Sequence, residues 1–102
     1  MTKEQSNVNK PLASHEIIQI EQKIEWLEKI QVEYKDFIYL YPHSIETPLH
    51  RYLLKEVFDI SYKWSPGQIG FLYLHTTGGV RTFHTRSDPS DFVQQFRETE
   101  HL

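Results

Sequence analysis

Apolar positions recur along this chain with two different rhythms. In the N-terminal third, Ile17, Ile20, Ile24 and Leu27 follow one another at spacings of three, four and three, and the series continues through Gln31 to Tyr34. This is the rhythm of a helix seam. Ser14 stands where an N-cap belongs, and Glu16 falls in the first turn, where a carboxylate complements the positive end of a helix. Ile18 and Ile30 widen the stripe, while Glu21, Lys23, Glu25, Glu28 and Lys29 form the polar side, with Glu25 and Lys29 as an i,i+4 pair. The pattern predicts an amphipathic helix over residues 14–35. A large aliphatic side chain left in water forgoes about 1.5–3 kcal/mol, so this stripe calls for cover from the chain's own sheet or from a partner.

After Asp36 the rhythm shortens to that of strands. Phe37 to Tyr41 is the first, and Ser44 to Thr47 reads as its continuation beyond a kink at Pro42. Residues 48–56 fit a short helix or a strand equally. Val57 to Trp64 alternates, placing Phe58, Ile60, Tyr62 and Trp64 on one face. Ser65-Pro66-Gly67-Gln68 supplies a tight turn into Ile69 to Thr76, and a two-residue turn at Gly78-Gly79 returns the chain along Val80 to Arg86. That register sets Leu74 opposite Phe83 and Leu72 opposite Thr85. Leu72, Leu74 and Phe83 then share a core face, and Phe71, Tyr73 and Val80 lie on the other. Asp88-Pro89 opens a final helix with a capping side chain and a proline in the first helical position, and Phe92, Val93 and Phe96 form its apolar stripe.

These elements predict an α+β fold: an N-terminal amphipathic helix, an antiparallel sheet of about four to five strands built as a meander of hairpins, and a C-terminal helix packed on the sheet. Residues 1–13 lack periodicity and read as a disordered tail, with 14–35 and 36–102 forming one globular domain.

Composition narrows the function classes. The 102 residues contain no cysteine, which excludes disulfides, thiolate nucleophiles and cysteine-ligated zinc. The net charge of −3 provides no basic footprint for duplex nucleic acid. No apolar run near the N-terminus resembles a signal peptide or a membrane span, so a cytoplasmic location is expected.

The succession of a strand ending in SIET, a strand EVFDISYKW, a hairpin GFLYLHTTGGVRTFHT and a helix DPSDFVQQFRE resembles the bacterial pleckstrin-homology-like domains over Phe37 to Thr99. The resemblance implies a bent seven-stranded sandwich plugged by the helix face of Phe92, Val93 and Phe96, and a role in binding and scaffolding. Residues 36–87 have room for only four or five strands of ordinary length, so the N-terminal helix would cover what the missing strands leave open.

Candidate chemistry is sparse. The expected register brings His75 and His84 to diagonal positions on one face, but two ligands do not make a zinc site, and no cofactor is implied. Asp88 and Asp91 are explained by capping. No nucleophile elbow, phosphate loop or dinucleotide fingerprint occurs. A non-enzymatic protein-interaction module is therefore expected, associating with a protein partner or with itself through Ile17, Ile20, Ile24 and Leu27 or through the outer hairpin face of Phe71, Tyr73 and Val80. The alternative is a module for small ligands or single-stranded nucleic acid, with Arg81, Arg86, Tyr73 and His84 on that outer face.

Overall fold

The computed structural model describes residues 10–99, so most of the expected tail, and the final three residues, lie outside the described part. Seven strands form one antiparallel sheet: β1 (Ala13–Glu25), β2 (Glu28–Leu40), β3 (Ser44–Glu46), β4 (Arg51–Leu53), β5 (Val57–Lys63), β6 (Gly70–Thr76) and β7 (Gly79–Thr85). A single 3-10 turn, Leu54–Glu56, joins β4 to β5, and helix α1 (Ser90–Thr99) follows β7. The order across the sheet is β4-β3-β2-β1-β7-β6-β5. Within the described residues, no helix is long and apolar enough to cross a membrane.

The expected helix over residues 14–35 does not form. Those residues build β1 and most of β2, paired without interruption from Ala13 opposite Leu40 to Glu25 opposite Glu28. Six of the apolar positions are β-branched (Ile17, Ile18, Ile20, Ile24, Ile30, Val32), side chains that suit a pleated strand better than a helix. The helical spacing was also half of a strand pattern, since Ile18, Ile20 and Ile24 fall on one face at even intervals. What hides the hairpin is its turn. Trp26 and Leu27 form a two-residue loop with φ of 52° and 69°, the left-handed conformation usually taken by Asn or Gly in a primed turn.

Two elements thus replace one helix, and the sheet reaches seven strands rather than four or five. Pro42 ends β2 instead of kinking it. The Tyr41 amide donates to the Ser44 carbonyl at 2.8 Å, and β3 folds back antiparallel, with Ile45 opposite Leu40. In β5 the pairing with β6 is irregular between Val57 and Asp59, so Val57 and Ile60 enter the core while Phe58 turns outward. The β6–β7 loop is Thr77-Gly78 rather than Gly78-Gly79. Leu72 therefore faces Phe83, and Leu74 faces Arg81. This two-place slip leaves Leu72, Leu74 and Phe83 on the expected core face and Phe71, Tyr73 and Val80 on the other, because strand faces alternate with period two.

The core joins both ends of the sheet. Ile45 of β3 and Leu74 of β6 belong to one buried cluster with Ile17, Ile38, Leu40, Ile60 and the α1 residues Phe92, Val93 and Phe96. Strands β3 and β6 stand four places apart in the sheet order, roughly 19 Å if it were flat. The sheet must therefore curl over the helix. Asp88 caps α1 by accepting from the Ser90 amide at 2.9 Å, and the apolar stripe lies buried as the sequence predicts.

The two halves of the sheet, β4-β3-β2-β1 and β7-β6-β5, join at a narrow seam between β1 and β7, which pair at a single position, Ile18 opposite His84. Thr85, fully buried beside that pair, donates its hydroxyl to the Glu16 carbonyl at 3.0 Å and lies 2.8 Å from His15 Nε2. Burial holds the His15 imidazole below its usual pKa, against the opposing effects of a hydrogen bond to the Ser87 backbone and the carboxylates of Asp88 and Glu16.

Candidate interaction surface

Beyond the seam, the β1–β2 hairpin continues as a two-stranded ribbon. β7 reaches β1 only at Ile18, and β3 reaches β2 only at Tyr39 and Leu40. Among the described residues nothing pairs with the outer edges of residues 19–25 or 28–38, and residues 21–31 are all exposed. Seven residues of strand rise about 23 Å, so the ribbon is a substantial projection. Its tip presents Trp26 at 95% and Leu27 at 98% exposure, with Ile24 at 73% just behind.

Lys23 lies 5.8 Å from the centroid of the Tyr34 ring, and the hydrogen bond and charge of that phenol raise its pKa. At the base of the ribbon Arg86 holds Glu33 in a two-pronged ion pair, which keeps the Glu33 carboxyl below its ordinary pKa.

The expected interaction residues do not form one surface. Ile17 is core, Ile20 is half-buried on the outer face, Ile24 is exposed along the ribbon, and Leu27 is in the turn. The helical stripe that would have grouped them is absent. Phe71 and Tyr73 do lie together on the outer face, half-buried, with ring centroids 6.0 Å apart, and His84 packs 5.2 Å from Phe71. Val80 is exposed at the far end of β7.

Arg81 pairs with Leu74 in the register, so it points to the opposite face from Tyr73 and His84. Arg86 is committed to Glu33, and Arg97 reaches Asp59 at 3.4 Å and the Ile60 carbonyl at 3.1 Å. The cations expected around the outer aromatics are therefore displaced or paired with carboxylates, which weakens the case for an anion or single-strand site.

The two-place slip also moves His84 opposite Phe71, four residues along the sheet from His75, whose Nε2 lies 2.8 Å from Ser61 Oγ. Among the described residues there is no group of three or more histidine, cysteine or acidic side chains placed to hold a metal ion.

One apolar cleft of about 200 Å³ opens where β1 and β7 diverge, lined in part by Ile17, Ile18, Leu49 and Phe83. It is smaller than the 300–1,000 Å³ usual for a small-molecule site. The sequence reading missed Trp26 altogether, since nothing around it marks a turn. No family model matches this sequence, and no curated protein matches it as a relative.

Proposed function

We propose that this chain is a non-enzymatic protein-interaction module that presents its β1–β2 ribbon to a protein partner. The observation that carries the reading is the tip. Trp26 and Leu27 adopt left-handed backbone conformations that cost bulky L-residues roughly 1–2 kcal/mol each, and neither recovers that energy by burial. A hairpin optimised for folding alone would carry Asn-Gly there. Large apolar side chains held in water on a projecting support suit contact with another protein, where aromatic anchors supply much of the binding energy. The unpaired ribbon edges offer main-chain hydrogen bonds to an added strand.

Seven antiparallel strands followed by a helix that enters the core through Phe92, Val93 and Phe96 support the resemblance to the bacterial pleckstrin-homology-like domains, and with it a scaffolding role. The reading is tested by placing a photo-crosslinking amino acid at position 26 in the native host, with exposed Phe58 as the control position. Protein adducts, whether with a second copy or with another chain, are expected at 26 and not at 58. Absence of any protein adduct at 26 overturns it.

A further inference from the structure

We infer that the partner of the ribbon is a second copy of this chain, paired antiparallel through the free edge of β1 about a two-fold axis at Gln22. The inference rests on the interaction-module reading and names its occupant.

Two strands related by a two-fold axis normal to the sheet must keep facing side chains on the same side. With period-two alternation, facing residues i and j therefore satisfy an even sum i + j, and one residue lies on the axis facing its own copy. The free stretch of β1 is Gln19-Ile20-Glu21-Gln22-Lys23-Ile24-Glu25. Centred on Gln22, it sets Glu21 opposite Lys23 and Lys23 opposite Glu21, Ile20 opposite Ile24, and Gln22 opposite itself. Every charged residue then faces an opposite or neutral partner, and each isoleucine faces an isoleucine, the combinations that stabilise antiparallel pairs. Neighbouring registers lose this match. An axis at Lys23 sets Glu21 against Glu25, and an axis at Glu21 uses only the inner half of the edge and sets Ile20 against Gln22.

The same register accounts for the exposed tip. The pairing ends where Glu25 of one copy faces Gln19 of the other, because His84 already holds the edge at Ile18, and it leaves the Trp26–Leu27 turn of one copy at the mouth of the cleft where β1 and β7 part. The cleft is too small for an ordinary metabolite, is lined largely by apolar side chains, and has in its wall Gln19, the first residue of the edge along which the second copy would lie. Two features of one chain, an uncovered apolar tip and an unfilled apolar cleft, thus become complementary across the two-fold axis. The β1 edges also gain main-chain partners, which removes an exposed strand edge.

The experiment is sedimentation velocity of the full chain from low micromolar to several hundred micromolar concentration. The wild type is expected to form a concentration-dependent dimer. Glu21→Lys and Lys23→Glu each set like charges opposite one another twice and are expected to weaken association at least tenfold. The double swap, Glu21→Lys with Lys23→Glu, restores opposite charges and is expected to recover it. Both positions are exposed, so circular dichroism and thermal midpoints should match the wild type. Loss of the Lys23–Tyr34 contact is common to Lys23→Glu and the double swap, so recovery cannot come from that contact.

Because the chain has no cysteine, Gln22→Cys supplies a second readout: mild oxidation is expected to yield a covalent dimer, and Gln31→Cys on β2 is not. A wild type monomeric at every concentration, or a dimer indifferent to the charge swaps, overturns the inference. If the chain is monomeric yet position 26 still crosslinks a different protein, self-pairing fails while the module reading stands.

Discussion

Arg86 and Glu33 meet across a strand that belongs to neither of them. The guanidinium Nη2 lies 2.6 Å from Glu33 Oε2 and Nε lies 2.9 Å from Oε1, although β1 runs between β7 and β2 in the sheet. The pair spans the base of the ribbon on the outer face, so it ties the projecting hairpin to the end of the β5–β7 meander. Its position suits control of the angle at which the ribbon leaves the body more than global stability, since both side chains keep contact with solvent and solvent-screened pairs contribute little.

Arg86→Ala should therefore alter the ribbon without unfolding the protein. In the wild type the Arg86 hydrogen bond and charge hold Glu33 below its ordinary value of 4.5. Its favourable contribution is present above about pH 4.5 and is lost as pH falls through the folded-state value. In the variant, Glu33 should titrate as an ordinary carboxylate by carbon-detected NMR, and amides beside it should exchange faster, with an unchanged thermal midpoint. An unshifted Glu33 titration in the wild type would count against this account.

The seam between β1 and β7 depends on Thr85. Thr85→Val keeps the shape but leaves the Glu16 carbonyl, the Ser87 amide and His15 Nε2 without their hydroxyl partner, and should cost about 1–3 kcal/mol in urea unfolding.

His15 should make the same seam sensitive to acid. Its folded-state pKa lies below the ordinary 6.5, so the unfolded chain binds the proton more readily. The stabilisation is full above pH 6.5 and declines as pH falls through the folded value. Urea midpoints should fall between pH 7 and 5 in the wild type and fall less in His15→Gln. Parallel pH profiles for the two proteins would show that His15 is not the source.

Gly70 is required for space. A Cβ there would lie 2.6 Å from the Lys63 carbonyl oxygen and 2.8 Å from Trp64 Cδ1, and the backbone contact cannot be relieved by rotating a side chain. Gly70→Ala should destabilise by about 1–3 kcal/mol or more. It should also displace the Trp64 indole, which donates to the Arg86 carbonyl at 3.1 Å. Urea unfolding and the fluorescence of Trp64, read in a Trp26→Phe background, check both effects.

The meander and the final helix were readable because their ends carry local chemistry: Ser65-Pro66-Gly67-Gln68, the glycines at 78 and 79, and Asp88-Pro89 each favour one backbone conformation. Even the misplaced β6–β7 turn kept Phe71 and Tyr73 on the right face, because a slip of two places preserves alternation. The same alternation, continued one residue from Val80, puts Arg81 on the opposite side of the sheet from Tyr73. The ribbon was a different matter. Isoleucines at 17, 20 and 24 satisfy a helix spacing, no glycine, asparagine or proline marks the reversal, and cover for Ile17 comes from β-strands and a helix distant in sequence. Trp26 was hidden for the same reason, since this exposed aromatic takes the left-handed conformation that turn preferences assign to Asn or Gly.

That broken rule sets folding stability against the proposed contact at a single site. Replacing Trp26 by Asn and Leu27 by Gly supplies the residues that a turn with two positive φ angles prefers, and removes no buried contact from the isolated chain. The double variant should therefore be more stable than the wild type, by about 1–2 kcal/mol in urea unfolding. Trp26→Ala should leave stability within about 0.5 kcal/mol, as expected for an exposed side chain. Both variants should lose most of the association measured by sedimentation, since both remove the aromatic anchor from the tip. If the Asn-Gly variant gained stability and still associated as the wild type does, the strained turn would have no part in recognition. The free edge of β1 would then have to carry the interaction alone.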